Sequence, residues 1–492
     1  MSRTRLRQGY GGASPRNRQG YGGQARGTAK ATGGQARDRQ GYGGQACDPA
    51  NRDRIIWSLP TMDRVLLRVS ALCILTVAFA CGPQTTDGAG QASSIPKPSG
   101  GVNRPEHLQK PSVLLVSFDG FRADYLDRFE LPNFRRVMAR GTRALGMRPV
   151  FPTITFPNHY SLVTGLYPEH HGIVENGFWD PQRNAAYSFR NPLTVADGSW
   201  YGGEPIWVTA EQQGMVAACF FWPGSEADVK GLRPTLWNKY EGSVPNEHRI
   251  QTVLGWLQLP PERRPHLITL YFSDVDSASH RTPIGDATVA AAVASVDRSL
   301  GALLDGLAKV PNPDRILLIL TSDHGMTDTA AVRTVQLSDV IDTSGIRAGF
   351  SGPVTGLHVS PEAGTPQSVR DRLNAKLQHG RAYLRQEMPE RHHFRDNPRG
   401  GDVIVVMDEG WMMATSILNR ATIQREWGEH GWDPDLPSMK AIFLIAGPGI
   451  RAGVTIPEVE NIDVYPLMAE LLGLRPAVGI DGRAGRIAAM LK

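Results

Sequence analysis

Val113-Leu-Leu-Val-Ser-Phe118 is an apolar run with β-branched residues that leads directly into Asp119 and Gly120. Runs of this length and composition are typical of strands buried on both faces of a parallel sheet. Three further runs share this character, at residues 267–272, 316–320 and 441–446. Helical stretches alternate with them, at residues 132–140, 286–307, 367–377 and 464–472. The chain therefore predicts an α/β fold with a central, mostly parallel sheet and helices on both faces.

Acidic and imidazole side chains follow three of these four runs. Asp119 follows the first, Asp274 and Asp276 follow the second, and Asp323 and His324 follow the third. Ligands of an open parallel sheet bind beyond the carboxyl ends of its strands. We therefore expect three separate strands to deliver these groups to the same edge of the sheet.

These groups and two histidines further along the chain make up a set of candidate metal ligands. His280 stands four residues after Asp276, so one helical turn projects both side chains to the same side. His430 lies in the loop sequence Gly428-Glu-His-Gly431, where a single histidine is more often an ordinary one. Mixed carboxylate and imidazole donors suit two zinc ions. The candidates are Asp119, Asp276, His280, Asp323, His324 and His430.

A candidate nucleophile lies in the segment Phe151-Pro-Thr-Ile-Thr-Phe-Pro-Asn-His-Tyr-Ser161. Two hydroxyl groups, on Thr153 and Thr155, precede a proline-broken turn into the start of an apolar helix. Taken alone, Thr155 is explained at least as well as a cap of that helix.

This segment resembles the nucleophile region of the nucleotide pyrophosphatase/phosphodiesterase family, within the alkaline phosphatase superfamily. The family's Thr-x-Thr-Phe-Pro-Asn-His core is followed here by Thr164-Gly165 and His171-Gly-Ile. Further matching blocks keep the family's order across residues 111–477. They are Asp119-Gly120, Trp222-Pro-Gly-Ser225, the pair Asp276 and His280, Asp323-His324-Gly325, Gly428-Glu-His-Gly431 and Val464-Tyr-Pro-Leu467.

The resemblance implies a role for each matching position. One zinc ion is expected at Asp276, His280 and His430. The other is expected at Asp119, Asp323, His324 and the oxygen of Thr155, which acts as the nucleophile. Asn176 is expected to bind a phosphoryl oxygen, and Phe156 and Tyr271 to stack a nucleobase.

The implied fold is an alkaline-phosphatase-like sandwich, in a catalytic domain spanning 111–492. The segment at about residues 329–425 is long for a loop, so we expect it to form a smaller capping subdomain. The implied activity is zinc-dependent hydrolysis of phosphodiester or pyrophosphate bonds in small-molecule nucleotides. It proceeds through a covalent phosphothreonine intermediate and releases a nucleoside monophosphate.

The sequence leaves alternatives to a nucleotide diester as the substrate. Ser273-Asp-Val275 stands where many relatives have an acidic residue and a proline, so phospholipid-type diesters remain an alternative. A phosphomonoesterase with a threonine nucleophile is the other rival, and such enzymes add basic side chains around the phosphate. Sulfatases are excluded, because the chain has no Cys or Ser in their C/S-x-P-x-R context.

The first 61 residues differ from the rest in composition. They contain the repeat RQGYGGQA at residues 18–25 and 39–46, and they hold eleven of the 53 Lys and Arg residues but only three of the 48 Asp and Glu residues. The remaining 42 basic and 45 acidic residues leave the other part of the chain slightly acidic. The high isoelectric point is therefore no argument for a nucleic-acid partner, although an RNA-binding arm is an alternative function for the repeats. Such repeats predict disorder, and we interpret them as translated upstream sequence.

Residues 62–81 resemble an export signal. Arg64 and Arg68 precede an apolar run that ends in Val77-Ala-Phe-Ala-Cys81, which has the form of a bacterial lipoprotein signal. We expect a periplasmic or cell-envelope lipoprotein anchored to the membrane by lipid on Cys81, with ordinary cleavage and release as the alternative. The run is short for a transmembrane helix. Residues 82–110 are expected to be a flexible linker, and Cys219 a buried, inert thiol.

Overall fold

The computed structural model describes residues 100–416 and 425–492. The predicted repeats at 1–61, the signal at 62–81 with Cys81, and residues 82–99 of the predicted linker lie outside the described residues. The last part of that linker, from residue 100 to 110, is packed. Asn103 is buried and its amide donates hydrogen bonds to the carbonyls of Pro261 and Arg264, at 3.0 and 2.7 Å.

A central sheet of eight strands forms the body of the catalytic domain. In chain order the strands are β1 (Ser112–Phe118), β2 (Gly141–Ala144), β3 (Ala217–Phe220), β4 (Leu236–Asn238), β5 (Leu267–Phe272), β6 (Ile316–Thr321), β7 (Phe443–Ala446) and β8 (Val454–Ile456). Their order across the sheet is β8-β2-β7-β6-β1-β5-β3-β4. All neighbours are parallel except β7, which runs antiparallel to both β6 and β2.

Twelve α-helices connect and cover the strands. They are α1 (Tyr125–Arg128), α2 (Pro132–Arg140), α3 (Thr155–Thr164), α4 (Pro168–His171), α5 (Pro192–Ala196), α6 (Ile206–Gln212), α7 (Asn246–Leu257), α8 (Asp274–Ser279), α9 (Ala287–Leu307), α10 (Leu337–Val340), α11 (Pro366–Asn374) and α12 (Val464–Leu472). These are the α-helices of the described part of the chain.

The sheet is covered on both faces because side chains of β1 alternate between two hydrophobic cores. Val113 and Leu115 pack with residues of α3, α6 and α12. Leu114 and Val116 pack on the other face, with residues of α2, α7 and α9. The predicted α/β fold, with a mostly parallel sheet between helical layers, is confirmed.

The segment between β6 and β7 forms a second, smaller sheet. Its four antiparallel strands are Ile346–Phe350, Val354–Val359, Gly380–Leu384 and Val403–Met407. Across the sheet, the fourth of these strands lies between the second and the third. A separate apolar core, which includes Leu357 and Leu373, lies between this sheet and α11. Short two-stranded ladders lie outside both sheets: Met147–Arg148 with Val459–Glu460, Gly177–Asp180 with Ala185–Ser188, Thr327–Ala330 with Glu426–Glu429, and Thr334–Gln336 with Met412–Ala414.

Candidate functional site

The carboxyl ends of β1, β5 and β6 meet in one buried cluster. The backbone N–H of Asp276, in the first turn after β5, donates to the carbonyl of Asp119 at 3.1 Å. The N–H of Gly120 donates to Asp323 Oδ1, also at 3.1 Å. Gly120 has a positive φ of 68°, and a Cβ there would lie 3.0 Å from Asp276, so the close approach of these strand ends requires glycine.

Thr155 is the first residue of α3 and faces this cluster. The residue in the capping position is Ile154, which makes no capping bond through its side chain. The hydroxyl oxygen of Thr155 lies 3.3 Å from His324 Nε2. Thr155 is therefore not the helix cap, and its oxygen lies at the positive end of a helix dipole beside the candidate ligands.

The three candidate histidine ligands are oriented in the same way. Each ring pairs its Nδ1 with a backbone carbonyl: His280 with Gly428 at 3.1 Å, His324 with Gly325 at 2.8 Å and His430 with Thr153 at 2.8 Å. An Nδ1–H that donates to a carbonyl leaves the Nε2 lone pair free to bind a cation.

The Nε2 atoms and the carboxylates form two groups. In the first, Asp276 Oδ1 lies 3.1 Å from His280 Nε2 and 3.6 Å from His430 Nε2. In the second, His324 Nε2 lies 2.9 Å from Asp323 Oδ2 and 3.6 Å from Asp119 Oδ1. The structure thus brings together all the candidate ligands that were predicted from the sequence.

The donor atoms fit metal ions. Asp119 Oδ1, Asp276 Oδ1 and Asp323 Oδ2 are buried oxygens without a hydrogen-bond donor among the described residues. A buried carboxylate oxygen that lacks a partner is costly, and a coordinated cation is the usual compensation. Groups of Asp and His within reach of one ion include Asp276 with His280 and His430, and Asp119 with Asp276 and His324.

The charges of the cluster lead to the same conclusion. Burial raises the pKa of the Asp119 carboxyl well above its ordinary value, and the Asp323 and Asp276 carboxylates raise it further. Burial lowers the pKa of His430 to about 3, with contributions from His324 and His280. For His280, the Asp276 carboxylate outweighs the effect of burial and raises the ring pKa to about 9. Several ionised carboxylates at such distances need a cation to balance them.

A cavity of about 690 Å³ opens over the cluster. Asn176 lines it, and because its Oδ1 accepts a hydrogen bond from the Phe156 N–H at 2.9 Å, its NH2 group is available to donate to a bound phosphate. The second sheet and the segment after it contribute one wall, formed by Ser351, Gly352, Pro353 and Met412.

The two aromatic residues predicted to stack a nucleobase, Phe156 and Tyr271, both line the cavity but differ in exposure. Phe156 is half-buried and lines the cavity as expected. Tyr271 is only 7% exposed, and its hydroxyl donates to Asp119 Oδ2 at 2.5 Å, so its ring offers little surface to a nucleobase. Tyr240, which the sequence analysis did not select, is 48% exposed and also lines the cavity. Its place in a loop, Lys239-Tyr-Glu-Gly-Ser-Val-Pro245, rather than in an apolar strand, is the signal that could have identified it.

Two further polar residues near the cluster were also missed. His159 is fully buried, with Nε2 2.7 Å from Ser117 Oγ and Nδ1 3.3 Å from Asp323 Oδ2. Glu429 places Oε1 3.8 Å from His280 Nδ1 and 3.9 Å from His430 Nε2. Both lie in motif blocks of the sequence, His159 at the end of Thr-x-Thr-Phe-Pro-Asn-His and Glu429 in Gly428-Glu-His-Gly431. Their place in those blocks is the signal that could have identified them.

Comparison with known proteins identifies the family of this chain. Residues 113–433 match the type I phosphodiesterase/nucleotide pyrophosphatase family. Human ectonucleotide pyrophosphatase/phosphodiesterase family member 1 is 38% identical over 416 residues, which cover 82% of this chain and 44% of that protein. A venom phosphodiesterase of Macrovipera lebetinus is 37% identical over 397 residues, covering 79% and 46% of the two chains.

A solved structure of murine ectonucleotide pyrophosphatase/phosphodiesterase 5 superposes with a TM-score of 0.72 at 31% identity, covering 77% of this chain and all of that one. An inactive threonine-to-alanine variant of the same murine protein, in complex with AMP, superposes with a TM-score of 0.73. This chain spans less than half the length of the curated relatives named above. The extent of the family match and the coverage of the solved structure establish that the chain belongs to the type I phosphodiesterase/nucleotide pyrophosphatase family.

Proposed function

We propose that this protein hydrolyses phosphodiester or pyrophosphate bonds of nucleotides with two zinc ions, through a phosphothreonyl ester on Thr155. The observation that carries the proposal is the convergence of the Thr155 oxygen with buried carboxylate oxygens that lack hydrogen-bond partners, at the base of a cavity with aromatic walls. The family membership supports the same reaction class.

The metal-binding residues would be divided between two ions. One group is Asp276, His280 and His430, and the other is Asp119, Asp323 and His324 with the oxygen of Thr155. Zinc ions held there would lower the pKa of the Thr155 hydroxyl and stabilise negative charge on the phosphoryl and leaving oxygens.

The protein's own residues then determine the course of the reaction. The Thr155 hydroxyl gives up its proton to solvent and its oxygen attacks phosphorus. The bond from phosphorus to the leaving oxygen breaks at the same time, so the phosphothreonyl ester forms and the leaving oxygen departs with the electron pair. Asn176 holds a phosphoryl oxygen through its NH2 group. Water then cleaves the ester, which releases the nucleoside monophosphate and regenerates the Thr155 hydroxyl. Because displacement at phosphorus is in line, the leaving group departs on the side opposite Thr155.

A nucleobase would bind between Phe156 and Tyr240. Both rings line the cavity, and the exposed face of Tyr240 is available to a ligand. The complex of the murine relative with AMP supports a nucleotide as the ligand. Tyr271 also lines the cavity, but its ring is 7% exposed against 48% for Tyr240, so we propose that Tyr240 supplies the larger stacking surface.

The charge around the cavity favours a diester over a monoester. A monoester carries about one more negative charge, which phosphatases neutralise with basic side chains. Arg190 is the one Lys or Arg side chain among the described residues that line the cavity. Lys230 and Arg233, the basic residues nearest in sequence to this region, are bound elsewhere, to Glu204 Oε2 and to the carbonyl of Glu226. A monoesterase therefore has less support than a diesterase.

We predict that kcat/KM for the p-nitrophenyl ester of thymidine monophosphate exceeds that for p-nitrophenyl phosphate by at least about tenfold, because the site must match the charge of the transition state. Release of p-nitrophenol from both substrates under the same conditions measures the ratio. A higher kcat/KM for the monoester would move the protein to the phosphatases that use a threonine nucleophile. A third substrate, methyl p-nitrophenyl phosphate, separates the preference for a diester from the preference for a nucleoside.

We also predict that a Phe156→Ala, Tyr240→Ala double variant loses its preference for the nucleotide diester over the methyl diester. Stacking of one base on an aromatic ring contributes roughly 1–3 kcal/mol, so kcat/KM for the nucleotide substrate should fall about 10- to 100-fold. The methyl diester reaches the same Thr155 without a base and should react at an unchanged rate.

The control for this double variant is Trp237→Ala. Trp237 is an aromatic residue of similar exposure, 40%, but it does not line the cavity. Its replacement should leave the ratio of the two diesters unchanged. An equal loss with both diesters in the double variant would mean that the two rings support the site rather than bind a base.

A further inference from the structure

Tyr271 lies at the edge of the cavity with its hydroxyl on Asp119, a contact that the proposed reaction does not explain. It is the fifth residue of β5, and its ring is buried edge-on against His159, with ring centroids 5.3 Å apart. Its hydroxyl lies 2.5 Å from Asp119 Oδ2, a distance typical of a strong hydrogen bond from a hydroxyl to a carboxylate. The bond joins residues that are 152 positions apart in the sequence.

This hydrogen bond determines which oxygen of Asp119 is free. Oδ2 accepts the phenol proton, and Oδ1 is the buried oxygen without a donor, 3.6 Å from His324 Nε2. Asp323 shows the same division of roles, since Oδ1 accepts the Gly120 N–H and Oδ2 has no donor among the described residues. In each carboxylate one oxygen is held by the protein and the other faces the cluster.

The register of β1 and β5 places the hydroxyl of Tyr271 beside Asp119. β1 and β5 are parallel with Ser117 opposite Tyr271 and Phe118 opposite Phe272. Asp119 follows directly after β1, so the hydroxyl at the end of the tyrosine ring meets its carboxylate. The backbone of Tyr271 is fixed as well, because its carbonyl accepts a hydrogen bond from the buried side chain of Arg249 at 2.9 Å.

We propose that Tyr271 is a positioning residue that holds Asp119 in its metal-binding orientation through the bond from its hydroxyl to Oδ2. This inference rests on the proposed metal site, but not on the identity of the substrate. The proposed role requires the hydroxyl of Tyr271, whereas stacking on a base would require only its ring. Partners that orient metal ligands typically contribute 10- to 100-fold to metal affinity or activity.

The test is Tyr271→Phe in the full-length protein loaded with Zn²⁺. The variant keeps the ring and removes only the hydroxyl, which takes from Asp119 Oδ2 the donor that holds it. We expect Zn²⁺ to be lost to a chromogenic chelator about 10- to 100-fold faster than from the unmodified protein. We expect kcat to fall by a similar factor with KM little changed, for the nucleotide and methyl diesters alike.

Two variants control for the loss of a buried hydroxyl. Tyr125 is fully buried, and its hydroxyl has no hydrogen-bond partner among the described residues. Tyr465 is also fully buried, and its hydroxyl accepts the Ala477 N–H at 2.8 Å, far along the chain from the cluster. Tyr125→Phe and Tyr465→Phe should retain Zn²⁺ like the unmodified protein, even if Tyr465→Phe lowers the melting temperature.

A spectroscopic measurement makes the result independent of turnover. With Co²⁺ in place of Zn²⁺, Tyr271→Phe should change the visible absorption spectrum, because the geometry of Asp119 at the metal changes. Unchanged Zn²⁺ loss and an unchanged Co²⁺ spectrum in Tyr271→Phe would overturn the proposal. If the protein proves not to be a phosphodiesterase, both metal measurements still decide the role of Tyr271.

Discussion

Replacing Thr155 with alanine should lower kcat for the nucleotide diester by at least about 10⁴-fold, the scale expected when a covalent nucleophile is removed. The hydroxyl oxygen of Thr155 lies 3.3 Å from Nε2 of His324, one of the candidate ligands. Initial rates with the p-nitrophenyl ester of thymidine monophosphate measure the loss. Acid quenching during turnover of a substrate with labelled phosphate should trap label on the unmodified protein, and none on Thr155→Ala.

The same variant should still bind its ligand. An inactive threonine-to-alanine variant of the murine relative is known in complex with AMP. Because the change leaves Asn176 and Phe156 in place, we expect Thr155→Ala to bind AMP with nearly unchanged affinity. The zinc ion proposed at Asp119, Asp323 and His324 should bind more weakly, since it loses the Thr155 oxygen. Thr155→Ser, which keeps a hydroxyl, should retain measurable activity and should still trap label. Activity of Thr155→Ala within about tenfold of the unmodified protein would exclude a phosphothreonyl ester.

The body of the fold could be predicted because its central strands have a strong and simple signal. β1, β5 and β6 are buried along nearly their whole length, so their sequences are continuous apolar runs. The edge of the sheet was not predicted. β4 is only three residues long and only half-buried, and β2 includes Thr142 and Arg143, so neither carries the apolar run that identifies a buried strand.

The positions of the candidate ligands could be predicted for a related reason. Asp119, Asp276 and Asp323 each follow a recognisable strand, and the strand order brings the three ends together. What the sequence could not supply was the set of contacts made through space. From the sequence alone, Tyr271 and Tyr240 are equally good candidates for stacking on a nucleobase. The bond to Asp119 and the difference in exposure distinguish them only in the folded protein.

Removing a single metal ligand should have an effect nearly as large as removing the nucleophile. We expect His430→Ala and Asp323→Ala to lower kcat/KM for the nucleotide diester by at least about 10³-fold, since each metal contributes several kcal/mol to the transition state. Each change removes a ligand from one of the two groups, so that group should lose its metal ion. The other group keeps all its ligands. Chelator treatment of the unmodified protein should lower activity to the same extent, and added Zn²⁺ should restore it. Neither variant should recover at the Zn²⁺ concentration that restores the unmodified protein.

His392→Ala is the matched control for this prediction. His392 is buried like His430, and burial lowers the pKa of its ring to about 4, yet it belongs to none of the groups of Asp and His within reach of one ion in the described part of the chain. Its replacement should leave the bound metal unchanged, so the stoichiometry of zinc should remain two per chain, against a lower value for His430→Ala. Full activity in His430→Ala, or recovery of the chelated protein with Mg²⁺ alone, would contradict the zinc assignment. Magnesium prefers octahedral oxygen ligands, whereas this cluster offers three imidazole nitrogens, so the chemistry of the donors itself favours zinc.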